Sequence, residues 1–179
     1  MHLLYGPPPG CNNQPRLRPD PARKTSTDAP SLRLEAVRPY RQSLLSNTIS
    51  RAIAEAYAER YDLSINEWRV MAILGRFPGS SAAEVAERAA MDKVAVSRAV
   101  SRLLDANRVH RRTDAEDRRR SVLELTTAGR RIYRQITPVL LEYESALLAS
   151  LSAREQAQLD RILSRLTSEA NALGPPQLG

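Results

Sequence analysis

Residues 117–129 read DRRRSVLELTTAG, so Asp117 leads directly into Arg118, Arg119 and Arg120. Three adjacent guanidinium groups repel one another unless a polyanion neutralises them. Arginine is suited to that partner, because its planar fork matches both phosphate and the edge of guanine. In an extended strand, Asp117 and Arg119 fall on one side and Arg118 and Arg120 on the other. Asp117 can then brace one arginine through a charge-assisted bond, leaving another to enter a minor groove, where negative potential deepens as the groove narrows. A second constellation lies just upstream, in DKVAVSRAVSRLLDA, residues 92–106. Helical spacing turns Val96, Ala99, Val100, Leu103 and Leu104 inward and Lys93, Val94, Ser97, Arg98, Ser101 and Arg102 outward. Short serines allow close approach and bond bases or phosphates, while an arginine can fork onto guanine. Either cluster alone reads equally as an ordinary solvated surface. Their adjacency favours duplex DNA.

The composition agrees. The 179-residue chain has 27 Lys and Arg against 20 Asp and Glu, a formal net charge of +7. This excess favours nucleic acid, although a protein from an arginine-rich proteome would share it. Cys11 is the sole cysteine, which excludes an intrachain disulfide and a Cys-rich zinc site. Its setting, PPPGCNNQP, lacks the positive surroundings that activate a thiol. His2 and His110 form no paired-histidine metal motif, and neither a Gly-rich phosphate loop nor a nucleophile elbow occurs. No enzyme activity, cofactor or metal is therefore expected. No apolar run approaches the roughly 20 residues of a membrane span. The N-terminal MHLLYGPPPG lacks a signal-peptide core, so the expected location is cytoplasmic.

The elements that must position these residues are mainly α-helical. Residues 1–31 are Pro-rich, polar and basic and are expected to form a disordered tail, as are residues 174–179. Pro39 suits a first helical turn, after an additional turn holding Leu34 and Val37. Leu44, Leu45, Thr48, Ile49, Ala52, Ile53, Ala56 and Tyr57 then share one helix face. Ser64 with Glu67, Ser81 with Glu84, and Ser152 with Glu155 each have the spacing of a capping box, predicting helix starts at those serines. The segment RFPGS breaks the first of these helices near residue 76, and Asp92 caps the helix over 92–106. Asn107 stands where a left-handed C-cap belongs. From there the apolar period changes to that of a two-stranded antiparallel hairpin turning at DAED. Thr126 or Thr127 caps a long helix to about Ser150, with a bend expected at Pro138, and a last helix spans about 153–172. Helix, helix, turn, helix and hairpin make a winged helix-turn-helix, whose second helix would lie in the major groove. The expected fold is mainly α with a small β-hairpin wing. The winged helix-turn-helix would occupy residues 63–126, and residues 32–62 and 127–173 would form a helical dimerisation region. The apolar residues of the last two helices support that division, because they exceed what a small winged unit could cover.

The same residues resemble the MarR family of bacterial transcription regulators. The family pattern Asp-x-Arg, Leu-Thr, Gly falls on Asp117, Arg119, Leu125, Thr126 and Gly129. MDKVAVSRAVSRLLDANRVHRR is similar to the family's recognition helix and first wing strand, and LSINEWRVMAIL to the entry to its second helix. The likeness covers roughly residues 34–172, with Asn107 standing where the family usually has glycine. The resemblance implies a homodimer with interlocked terminal helices, reading a pseudo-palindromic operator of double-stranded DNA, and the expected role is that of a repressor, with an activator as the open alternative. It also implies a cleft where a small, often aromatic, carboxylate releases the DNA. Candidates for that cleft are Tyr40, Arg41, Asn47, Arg51, Trp68 and Arg69, though Trp68 suits the core equally well. A non-specific basic nucleic-acid-binding protein and a helical protein-interaction module are the alternatives.

Overall fold

The computed structural model describes residues 32–113 and 121–175. A 3-10 turn over Leu34–Ala36 leads into α1 (Arg38–Glu55), which has Pro39 in its first turn. A short α2 (Ala58–Tyr61) precedes α3 (Ile65–Arg76), α4 (Ala82–Ala89) and α5 (Lys93–Asp105). Strands β1 (Val109–Thr113) and β2 (Ser121–Leu125) pair antiparallel, from Val109 opposite Leu125 to Thr113 opposite Ser121. Two long helices, α6 (Thr127–Leu148) and α7 (Ala153–Leu173), complete the chain. The fold is mainly α with a two-stranded wing.

Each sequence-predicted cap is present. Ser64, Ser81 and Ser152 accept from the backbone N–H of Glu67, Glu84 and Glu155, and each glutamate accepts from its serine N–H in return. Asp92 Oδ1 accepts from Ala95 N–H at 2.8 Å. Thr126 Oγ1 accepts from Gly129 N–H at 3.0 Å and donates to Asn107 O at 2.7 Å. Asn107 has φ 52°. The N–H of Arg108 reaches back to Leu103 O and that of Asn107 to Leu104 O, so α5 ends in a Schellman motif with asparagine in the place of glycine. Ala90 closes α4 in the same way, with φ 49°, although its sequence carries no such signal.

The core centres on α3. Trp68, Val70, Met71 and Leu74 pack with Val85 and Ala86 of α4, with Val96, Ala99, Val100 and Leu103 of α5, and with Val109, Leu123 and Leu125 of the wing. The break at RFPGS also joins the wing: Leu123 N–H donates to Ser80 O, and Gly79 N–H to Leu123 O. Val122 is buried as well, so β2 departs from strict alternation.

Two expectations are corrected. The apolar face predicted to run to Tyr57 stops at Glu55, and Tyr57 leaves the helix to insert into the core. Burial pushes its hydroxyl from an ordinary value of 10.0 up to about 12, with the Arg69 charge offsetting part of the effect. The long helix starting at Thr127 ends at Leu148 rather than near Ser150. Pro138 lies inside this helix, and Thr137 Oγ1 donates to Tyr133 O in the turn before the proline.

Gly129 sets how closely α6 meets the wing. A Cβ there would lie 2.0 Å from the carbonyl oxygen of Arg108, which already accepts from Thr126 N–H. Backbone cannot yield as a flexible side chain can. Gly129→Ala is expected to cost about 3 kcal/mol in denaturant unfolding, at the upper end of overpacking penalties.

Candidate nucleic-acid interface

The face of α5 away from the core carries Lys93, Val94, Ser97, Arg98, Ser101 and Arg102, and all six are exposed. They are presented because Val96, Ala99, Val100 and Leu103 are held against α3 and α4 at 4 % exposure or less. Val94 is 60 % exposed, a side chain suited to contact with a thymine methyl.

Arg102 differs from the others. Its Nε lies 2.6 Å from Oε1 of Glu67, whose side chain is only 3 % exposed, while the arginine remains 65 % exposed. Glu67 is also the capping-box glutamate of α3, its Oε2 accepting from Ser64 N–H at 2.8 Å. The sequence marks Glu67 as a cap but holds no sign of this second bond, because its partner lies on another helix.

On the wing, His110, Arg111, Arg112 and Thr113 of β1 are exposed. Glu124, directly across from His110, pairs with Arg112 and lies 3.7 Å from the His110 ring. Among the described residues Arg111 forms no ion pair. Asp117, Arg118, Arg119 and Arg120 lie outside the described residues.

A cleft of about 680 Å³ separates α1 from the start of α3. Leu44, Asn47, Ser50 and Arg51 line one wall, and Ser64, Ile65, Asn66 and Arg69 the other. Arg69 Nη2 donates across it to Ser50 Oγ at 3.2 Å. The structure thus brings together Asn47, Arg51 and Arg69 of the predicted ligand set. Trp68 is not among the lining residues. It is 7 % exposed and lies between the rings of Tyr57 and Tyr133, at 5.8 and 6.0 Å. Tyr40 and Arg41, in the first turn of α1, also lie outside the lining. Leu44 and Ile65, its apolar lining, were not singled out because helical periodicity alone assigns them to packing.

This arrangement defines a winged helix-turn-helix. Comparison with known proteins identifies its lineage. The family model described as MarR family matches residues 61–120. The HTH-type transcriptional regulator BilQ of Clostridium symbiosum is 31% identical over 100 residues, which span 55% of this chain and 69% of that protein. The HTH-type transcriptional repressor Rv2887 of Mycobacterium tuberculosis is 29% identical over 107 residues, 60% of this chain and 77% of its own. The fold matches the crystal structure of a MarR/EmrR family transcriptional regulator from Acinetobacter sp. ADP1 with a TM-score of 0.73, at 23% identity, covering 79% of this chain and 99% of that one. The chain belongs to the MarR family. It is a transcription regulator of that type and not an enzyme. No described helix is long and apolar enough to cross a membrane.

The two arginines on α5 should respond differently to truncation. Arg102→Ala leaves a buried carboxylate without its cation and is expected to lower unfolding free energy by about 2 kcal/mol. Arg98→Ala, one turn earlier, should stay within about 0.5 kcal/mol. Chemical denaturation of both variants checks this.

Proposed function

We propose that the chain is a homodimeric, sequence-specific DNA-binding repressor of the cytoplasm, released from its operator by a small carboxylate. The observation that carries this reading is the outward face of α5, where a Val, two Ser and three cationic side chains project together from a helix whose opposite side is anchored in the core. Such a face suits the major groove, with Arg98 positioned to fork onto guanine and the serines to approach bases or phosphates. In this reading the arginines at 118–120 enter the neighbouring minor groove with Asp117 as brace. The repressor assignment follows the name borne by the mycobacterial relative.

Residues 63–126 serve as the DNA-binding unit, and residues 32–62 with 127–173 as the dimerisation region. Neither α1 nor α7 contains a buried residue. Leu45, Ile162, Leu163 and Leu166 are 45–57 % exposed, an apolar surface that a second copy would cover. A two-fold pair of α5 helices matches a pseudo-palindrome with half-sites about one helical turn apart. The cleft between α1 and α3 falls within the roughly 300–1,000 Å³ of small-molecule sites. Its Arg51 and Arg69 suit a carboxylate, with Leu44 and Ile65 against an apolar body.

In competition binding, the duplex upstream of the chain's own gene should outcompete random duplex at physiological salt. Arg98→Ala should alter which base pairs are preferred. Neutral substitutions at Arg118 and Arg119 should weaken binding to all sequences and flatten the salt dependence by about one unit per lost phosphate contact. Equal affinity for every duplex would instead identify a non-specific nucleic-acid-binding protein. Leu163→Asp should shift the sedimentation coefficient from dimer to monomer and abolish tight operator binding, and a wild-type chain that sediments as a monomer would defeat the dimeric reading.

A further inference from the structure

We propose that Glu67 positions Arg102 for DNA recognition and links the cleft to the reading face of α5. The proposal rests on the DNA-binding reading given above. It stands on the geometry of one carboxylate with two jobs. Oε2 closes the start of α3 by accepting from Ser64 N–H at 2.8 Å, and Ser64 lines the cleft. Oε1 holds Arg102 Nε at 2.6 Å on the outward face of α5. The return bond, from Glu67 N–H to Ser64 Oγ at 3.3 Å, completes the cap.

A carboxylate at 2 % exposure is stable only while it is paired and hydrogen-bonded, so neither bond can be lost without the group seeking a replacement. Arg102 gains from the arrangement. Its long side chain has many rotamers, and anchoring Nε, where the guanidinium joins the aliphatic stem, removes most of them while the group stays largely exposed. DNA then meets a guanidinium already ordered, which lowers the entropy cost of the contact. Displacing the cap at Ser64, as a ligand bonding in the cleft would, shifts the same carboxylate and with it the anchor of Arg102. The cleft and α5 are thereby coupled through one side chain rather than through a rearrangement of the core.

The sign of one substitution separates this role from simple charge. Glu67→Gln removes a negative charge from beneath a DNA-facing surface while keeping an oxygen for the Ser64 N–H. Electrostatics alone predicts tighter DNA binding. Positioning predicts weaker binding, by roughly tenfold, the size of losing one well-placed charged hydrogen bond. The dimer of the intact 179-residue chain is titrated with the duplex from its own upstream region, with the folded fraction fixed by circular dichroism. A second arm uses Ser64→Pro and Arg102→Met, singly and together, and does not require Glu67→Gln to fold; proline fits the Ser64 φ of -75° and removes the N–H that Oε2 accepts. The expected result is that Ser64→Pro weakens binding in the wild-type background, by about threefold, and has no further effect once Arg102 is methionine. Unchanged or tighter binding by Glu67→Gln, or independent effects of Ser64→Pro and Arg102→Met, overturns the proposal and leaves the DNA-binding reading standing. A wild-type chain that does not bind the duplex overturns both.

Discussion

An amphipathic helix has one apolar stripe, and the way that stripe is buried decides what the other side can offer. Here the stripe of α5 is held against α3 by Val96, Ala99, Val100 and Leu103. The Val and Leu side chains each contribute about 1.5–3 kcal/mol when removed from water. Turning α5 by one residue would expose part of that set and bring Arg98 or Ser101 toward the core, a loss of several kcal/mol on each count. The orientation of Lys93, Val94, Ser97, Arg98 and Ser101 is therefore a consequence of core packing. The wing follows from the same core, because Val109, Leu123 and Leu125 close its lower edge, and Gly129 lets the backbone of α6 approach the strand end without a side chain between them.

Two carboxylates restrain cations of this surface. Glu67 sits beneath Arg102, and Glu124 lies at the wing beside Arg112 and His110. Each carboxylate restrains a cation without cancelling the positive field of the face, since the cations stay about half exposed or more and the carboxylates do not. A restrained arginine and a freely moving one have the same charge. They differ in the entropy lost on contact, which is where specificity and affinity separate.

Burial is distributed unevenly along the chain. Helices α3, α4 and α5 and the wing hold nearly all of the buried core, whereas α1 and α7 contribute no fully buried residue and α6 contributes only Gly129 and Ile136. An isolated helix as long as α7 is only marginally stable in water without a packed face. Its spaced leucines lie exposed, and its own capping box closes its start. Tyr57, Trp68 and Tyr133 form the aromatic joint between the well-packed part and the long helices, with Gly75 leaving room for the Tyr133 ring against α3.

Local chemistry was legible from the sequence by itself. The capping boxes, the cap at Asp92, the left-handed Asn107, the change of period at the hairpin and the inward and outward faces of α5 all depend on residues within a few positions of one another, and all appear as the pattern predicts. What only the tertiary structure decided joins residues distant in sequence. Periodicity placed Tyr57 on a helix face, yet the helix stops at Glu55 and the Tyr57 ring packs tilted against Trp68, which is buried in the core and does not line the cleft. Ala90 adopts a left-handed conformation without glycine or asparagine to announce it, because the short connection to α5 requires that turn. The pairing of Glu67 with Arg102 was invisible for the same reason: the sequence shows a residue's neighbours along the chain, and only the packing of α3 on α5 makes two such neighbours out of residues so far apart.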